Sequence, residues 1–215
     1  MSHSNQTVIL LHGLARSFRS MKKMATALEK EGYNTLNIAY PSTQKKIEEL
    51  AESSISLALS QCDKESTIHF VTHSMGGILL RQYLQKHAIP NIGRVVMLGP
   101  PNNGSEIVDR IGHLSVFKWI NGPAGNQLGT DKNSLPNQLG TAPANLGVIA
   151  GTRSFDPFFY SILPKPHDGK VSVASSKLDG MDDHIQLPTT HTFMMFNRHV
   201  IKQVLHFLKH GVFAH

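Results

Sequence analysis

Along the chain, short apolar runs alternate with longer stretches in which apolar residues return every three or four positions. Val8 to Leu11, Asn34 to Ala39, Thr67 to Val71, Arg94 to Leu98, Leu146 to Ala150 and Asp183 to Leu187 are short and bounded by turn-forming residues, so they predict six strands. Between them, Met21, Met24, Ala25 and Leu28 share a helical face, with Ser20 as candidate N-cap and Gly32 at the stop. Ile47, Leu50, Ala51, Ile55, Ala58 and Leu59 mark a longer helix. Ile78 to Lys86 forms a third, apolar enough to be enclosed, and Val200, Ile201, Val204, Leu205 and Leu208 define a closing one. Such alternation predicts an α/β fold, a mostly parallel sheet inside a three-layer α/β/α sandwich. A length of 215 residues fits one domain, 1–215, able to bury a core without disulfides or metals.

The rhythm breaks between Gly104 and Gly147. Gly, Asn, Gln and Pro crowd Asn121 to Asn145, and a structureless loop of that length would be unusual in a compact domain. Residues 105–145 are therefore expected to form a small insertion or lid. Ligands of α/β sheets bind beyond the carboxyl ends of the strands, so an insertion after the fourth strand can cover such a site.

No apolar run approaches the roughly 20 residues of a membrane-spanning helix. The opening Met-Ser-His-Ser-Asn-Gln lacks the basic and apolar regions of a secretion signal, and the lone Cys62 has no intrachain disulfide partner. The expectation is a soluble, cytoplasmic protein. A formal charge of +6 raises the question of an anionic partner, but the basic residues are scattered over separate helices with no aromatic interleaving. Nucleic acid is thus not an expected partner, whereas weak contact with an anionic membrane surface or an acidic substrate is allowed.

The chemistry-bearing segment is Thr72-His73-Ser74-Met75-Gly76, between the third strand and the third helix. It reads as a nucleophile elbow, a strained strand-to-helix turn that lifts a serine hydroxyl clear of the sheet. Gly76 and Gly77 supply small residues on the helix side; on the strand side Thr72 stands where glycine is usual. A serine hydroxyl needs a base and a group to hold that base, and on this architecture they follow in the order Ser, Asp or Glu, His. His191, in Pro188-Thr189-Thr190-His191-Thr192 after the last strand, stands where the base belongs. Asp168, in a tight turn with Gly169 that then leads into an extended segment, is the favoured acid. Asp156, in the aromatic stretch Phe155 to Tyr160, is its rival, and Asp182 and Asp183 read as a solvated turn. An oxyanion would be held by the backbone N–H groups of Met75, after the nucleophile, and Leu14, in His12-Gly13-Leu14 after the first strand. This chemistry calls for no metal and no organic cofactor.

Together, Val-Ile-Leu-Leu-His12-Gly13-Leu14, Thr-His-Ser74-Met-Gly76-Gly77, Asp168-Gly169 and His191 resemble the α/β-hydrolase superfamily, in particular its small lipase- and esterase-like members. Gly99-Pro100-Pro101-Asn102-Asn103-Gly104-Ser105 is also similar to the Pro-x-x-Gly-Ser segment of lipase-like relatives. The full family fold has eight strands. This chain begins at what would be the third, so a shortened sheet of about six or seven is expected. The resemblance implies a serine hydrolase acting on a small-molecule or lipid ester through an acyl-enzyme. Acyl transfer or thioester hydrolysis with the same residues, and a binding protein that keeps the fold, are the alternatives.

Overall fold

Six strands, β1 (Gln6–Leu11), β2 (Asn34–Ile38), β3 (Thr67–His73), β4 (Ile92–Leu98), β5 (Leu146–Gly151) and β6 (Asp183–Leu187), lie in the order β2-β1-β3-β4-β5-β6, each parallel to its neighbours. The computed structural model describes residues 5–155 and 163–215; Asp156, the rival acid, lies outside them. Alternation along each strand sends side chains to two cores. Ile9, Leu11, Phe70, Val95, Met97 and Val148 face α2 (Ile47–Ser60) and α3 (Met75–Leu84). Val8, Leu10, Val71, Val96, Leu98 and Ile149 face α1 (Lys22–Lys30) and the final helix (Arg198–His210). The sheet is thus the middle of three layers. Fully burying one such large apolar side chain contributes about 1.5–3 kcal/mol.

Strand order reverses at β1, whose neighbours are β2 and β3. Loops leaving the carboxyl ends of β1 and β3 therefore diverge and open a crevice. Leu11 pairs with Ile38 and Thr72, and His73 with Leu98, so the loops after these strands begin at one level. Among the described residues no helix is long and apolar enough to cross a membrane.

Local details correct the sequence reading at several points. Ser20 is not the N-cap of α1: it sits in a 3-10 turn, Phe18–Met21, and its hydroxyl donates to the Ser17 carbonyl (2.8 Å). The stop at Gly32 (φ 91°) is as expected, with Gly32 N–H bonding Glu29 O and Tyr33 N–H bonding Leu28 O, a paired arrangement that satisfies the last carbonyls. Asp182 and Asp183 are not a merely solvated turn. Asp182 accepts the Leu146 N–H (2.7 Å), and Asp183 opens β6 while accepting the Phe213 N–H (2.7 Å).

Residues 105–145 carry three helices, α4 (Glu106–Ile111), α5 (Ser115–Asn126) and α6 (Leu135–Gln138). Helix α5 is broken at Gly122 (φ 63°, ψ −165°), followed by Pro123. A Cβ on Gly122 would lie 1.7 Å from the Thr43 carbonyl oxygen, so only glycine fits this approach. Gln127 accepts the Ile47 N–H (2.8 Å) and donates to the Glu48 carboxylate, tying the insertion to the start of α2. Buried Arg81 of α3 donates to the carbonyls of Asn102, Leu139 and Gly140 at 2.9–3.0 Å. Burial pushes its pKa down to about 10, and the carbonyls stand in for an acidic partner.

Candidate active site

At the carboxyl end of β3 the chain turns into α3 through Ser74, whose φ of 54° and ψ of −124° are a conformation side-chain-bearing residues seldom adopt. The Ser74 N–H bonds the Leu98 carbonyl (2.9 Å), anchoring the apex to β4. A Cβ on Gly76 would meet the Leu11 carbonyl oxygen at 2.6 Å, so α3 packs directly on the end of β1. Thr72 is accommodated because Gly77 lies opposite it: a Cβ there would come within 3.3 Å of Thr72 Oγ1. The glycine usual on the strand side is replaced by space on the helix side.

Ser74 Oγ lies 3.0 Å from His191 Nε2, and His191 Nδ1 lies 2.7 Å from Asp168 Oδ2. The other carboxylate oxygen, Oδ1, accepts the N–H groups of Lys170 (2.9 Å) and Val171 (2.8 Å). Asp168 is thereby fixed with one oxygen for the backbone and one for the imidazole. An antiparallel bridge, His167 with Ser172, closes the turn that presents it. Beyond Ser172 the chain forms a one-turn helix, Val173–Ser176, not the extended segment expected. A backbone bond from His191 N–H to Asp168 O (2.9 Å) locks the two loops together. Both side chains are almost wholly buried, whereas Ser74 keeps partial access.

Leu14 lies in the loop after β1 and lines the same cavity as Ser74, and Met75 follows the serine at the first position of α3. Among the described residues neither backbone N–H bonds to another group. Gly13 allows the close approach: a Cβ on it would sit 3.1 Å from Ser74 Cβ. The buried His12 ring stacks on Tyr40 (centroids 3.9 Å apart) and, held neutral by burial, donates from Nδ1 to the Gly13 carbonyl (2.9 Å). The Tyr40 hydroxyl donates to the His12 carbonyl, so the loop is braced from both sides.

His73 has a part that its place in the motif did not reveal. Its buried Nε2 bonds the His191 carbonyl (3.0 Å), so it acts as a donor there and helps position His191. Burial, then the neighbouring His191, keeps its pKa well below that of an ordinary histidine. Polar residues in the apolar run of a central strand, His73 beside Thr72 and His69, were the available signal. Because the unfolded chain takes up a proton near the ordinary value of 6.5 and the folded one refuses it, His73 stabilises the fold above that value and loses this contribution as pH falls. The expected slope is about 1.4 kcal/mol per pH unit below about 6.5. Denaturation midpoints taken from about pH 7.5 to about 5.5 should fall, and His73→Gln, which keeps a donor without titrating, should flatten the curve. An unchanged slope in the variant would refute this.

A cavity of about 300 Å³ opens at Ser74 and His191 and runs beneath the insertion, where Ile107, Val108, Ile111, Ile120 and Leu128 line it. Ile107, Val108, Ile111 and Leu114 already recur at helical spacing in the sequence, a signal obscured by the polar stretch after them. A wider depression of about 700 Å³ between α2 and the insertion carries Glu48, Asp109 and Asp131 but does not reach Ser74. Among the described residues no group of three or more His, Cys, Asp or Glu could hold a metal ion.

Solved structures with this fold include the mature form of the lipase BlEst2 from Bacillus licheniformis, 18% identical, with a TM-score of 0.66 over 89% of this chain and 87% of that one. A metagenomic carboxyl esterase, MGS0156, is 20% identical with a TM-score of 0.67 over 89% of this chain and 66% of that one. A lipase-esterase related protein from Clostridium acetobutylicum is 14% identical, with a TM-score of 0.59 over 95% of both chains. Likeness at these identities establishes the fold. Among curated proteins none matches the chain significantly. The family model described as palmitoyl protein thioesterase matches residues 7–139, from β1 through the elbow to the end of α6. With that match spanning more than half of the chain, this protein has the α/β-hydrolase fold of these lipases and esterases and belongs to the palmitoyl protein thioesterase family.

Proposed function

We propose that the protein hydrolyses carboxylic esters through an acyl-enzyme, with Ser74 as nucleophile, His191 as general base and acid, and Asp168 as its orienting carboxylate. The observation that carries this reading is the hydrogen-bonded chain from Ser74 Oγ through His191 to Asp168 on a strained apex. With Asp168 Oδ2 accepting from His191 Nδ1–H, Nε2 is left with its lone pair towards the serine hydroxyl. Nε2 takes the hydroxyl proton as Oγ bonds to the carbonyl carbon. The resulting oxyanion receives the N–H groups of Leu14 and Met75, and the positive end of the α3 dipole favours the same charge. Collapse expels the alcohol, which takes the proton back from His191. Water then attacks the acyl-enzyme along the same route and regenerates Ser74. The apolar cavity beneath the insertion suits the acyl chain, and the insertion would act as its cover.

The family match favours a second substrate, a thioester, for which the same steps expel a thiol. A fluorophosphonate probe should label Ser74 in the folded protein, and graded p-nitrophenyl and thioester substrates should then reveal the preferred acyl length and leaving atom. Absence of labelling would overturn the nucleophile assignment and speak for a binding protein.

A further inference from the structure

Two cations, Arg16 and Lys170, line the cavity that contains Ser74 and His191, and none of the described residues lining it is acidic. Arg16 follows Ala15 (φ 52°) in the loop that carries Leu14, while Lys170 follows the Asp168 turn. They come from two different loops, and both act electrostatically on His73. Among the described residues neither side chain has a hydrogen-bond or ion-pair partner, since the nearby Asp168 carboxylate is occupied by His191 and two backbone N–H groups. Protein atoms crowding the Lys170 ammonium, then Arg16, lower its pKa, although its side chain keeps solvent contact. Two like charges in one cleft repel each other, Asp168 offsets this for Lys170 only in part, and a ligand anion would relieve the remaining repulsion.

Their place relative to His191 indicates which half of a substrate they would meet. His191 must reach the leaving atom to protonate it, and Lys170 lies on the His191 side, where it also lines a second cavity of about 220 Å³ with Thr190, His191 and Phe193. The apolar walls at Ile107, Val108, Ile111 and Ile120 belong to the first cavity alone. Arg16 lines the first cavity only and Asp168 lines the second beside Lys170, so Lys170 is the cation on the leaving-group side, with Arg16 near enough to act on its charge. We infer that Arg16 and Lys170 hold an anionic group, phosphate or carboxylate, on the alcohol or thiol half of the substrate. This inference rests on the proposed roles of Ser74 and His191.

The test compares substrates that differ only in that charge. For phosphate, 1-octanoylglycerol 3-phosphate is set against 1-octanoylglycerol; for carboxylate, the S-octanoyl thioester of 3-mercaptopropionate is set against that of its amide. In at least one pair, wild-type kcat/KM should favour the anionic member on the order of tenfold or more. The ratio should fall towards one in the Arg16→Gln, Lys170→Gln double variant, and in wild type as salt is raised from about 0.05 to about 0.5 M. Both side chains are exposed, so the double variant should fold. Equal rates within both pairs, or a preference that survives the double substitution and salt, would overturn the anion site while leaving hydrolysis by Ser74 intact. No turnover of any of the four, together with no fluorophosphonate labelling of Ser74, would instead overturn the hydrolase reading and the anion site with it.

Discussion

Ser74→Ala and His191→Ala are each expected to lower kcat for ester or thioester hydrolysis by on the order of 10⁴- to 10⁶-fold, and the double variant should be hardly worse than either single one. The two side chains share one proton across a 3.0 Å contact. Removing the serine leaves the base with nothing to activate; removing the histidine leaves a hydroxyl that is a poor nucleophile at neutral pH. Residual catalysis would come from the Leu14 and Met75 donors and from substrate binding, which neither change touches. Ser74 is held at φ 54°, where alanine is no more comfortable than serine, so the fold should be little altered. Steady-state kinetics alongside thermal unfolding checks both points. Activity within tenfold of wild type in either variant would sink the assignment.

Asp168→Asn should cost about 10³- to 10⁴-fold in kcat while leaving the fold in place. Oδ1 accepts two backbone N–H groups, so a carboxamide must put its oxygen there. Its NH₂ then points at His191 Nδ1, where the carboxylate had accepted a proton at 2.7 Å. Nδ1 is forced to accept, the ring proton moves to Nε2, and Nε2 faces Ser74 with a hydrogen in place of a lone pair. The imidazole keeps its position and loses its function as a base. Slow fluorophosphonate labelling with an unchanged unfolding midpoint is the expected signature. If Asp156→Asn were damaging and Asp168→Asn silent, the acid would have been misassigned.

Much of this could be read locally. Val8 to Leu11 is recognisable as a strand because four apolar residues precede a glycine-bearing turn, and Asp183 to Leu187 matches β6 at both ends. Ser74, Asp168 and His191 stood out because each follows a recognisable strand or turn. Other features are not local. Thr72 looked like a misfit until Gly77 was placed beside it, and His73 showed its part only with the His191 carbonyl at its ring. Ser20 went to a 3-10 turn because its hydroxyl found Ser17 before a helix N–H. Arg81 reads as an ordinary helix cation in sequence, yet it closes three carbonyls from two distant loops.

By itself the sequence determined the alternation of strands and helices, the elbow, and the order of the groups that the proposal makes nucleophile, acid and base. These rest on periodicity and turn chemistry, which act over a few residues. Tertiary structure alone decided that a serine and a histidine 117 positions apart lie in hydrogen-bond contact, that the insertion forms helices over an apolar cavity, and that Arg16 and Lys170 line that same cavity. Such contacts depend on how the sheet orders its strands and how the loops at their ends pack, and no short-range pattern encodes that geometry.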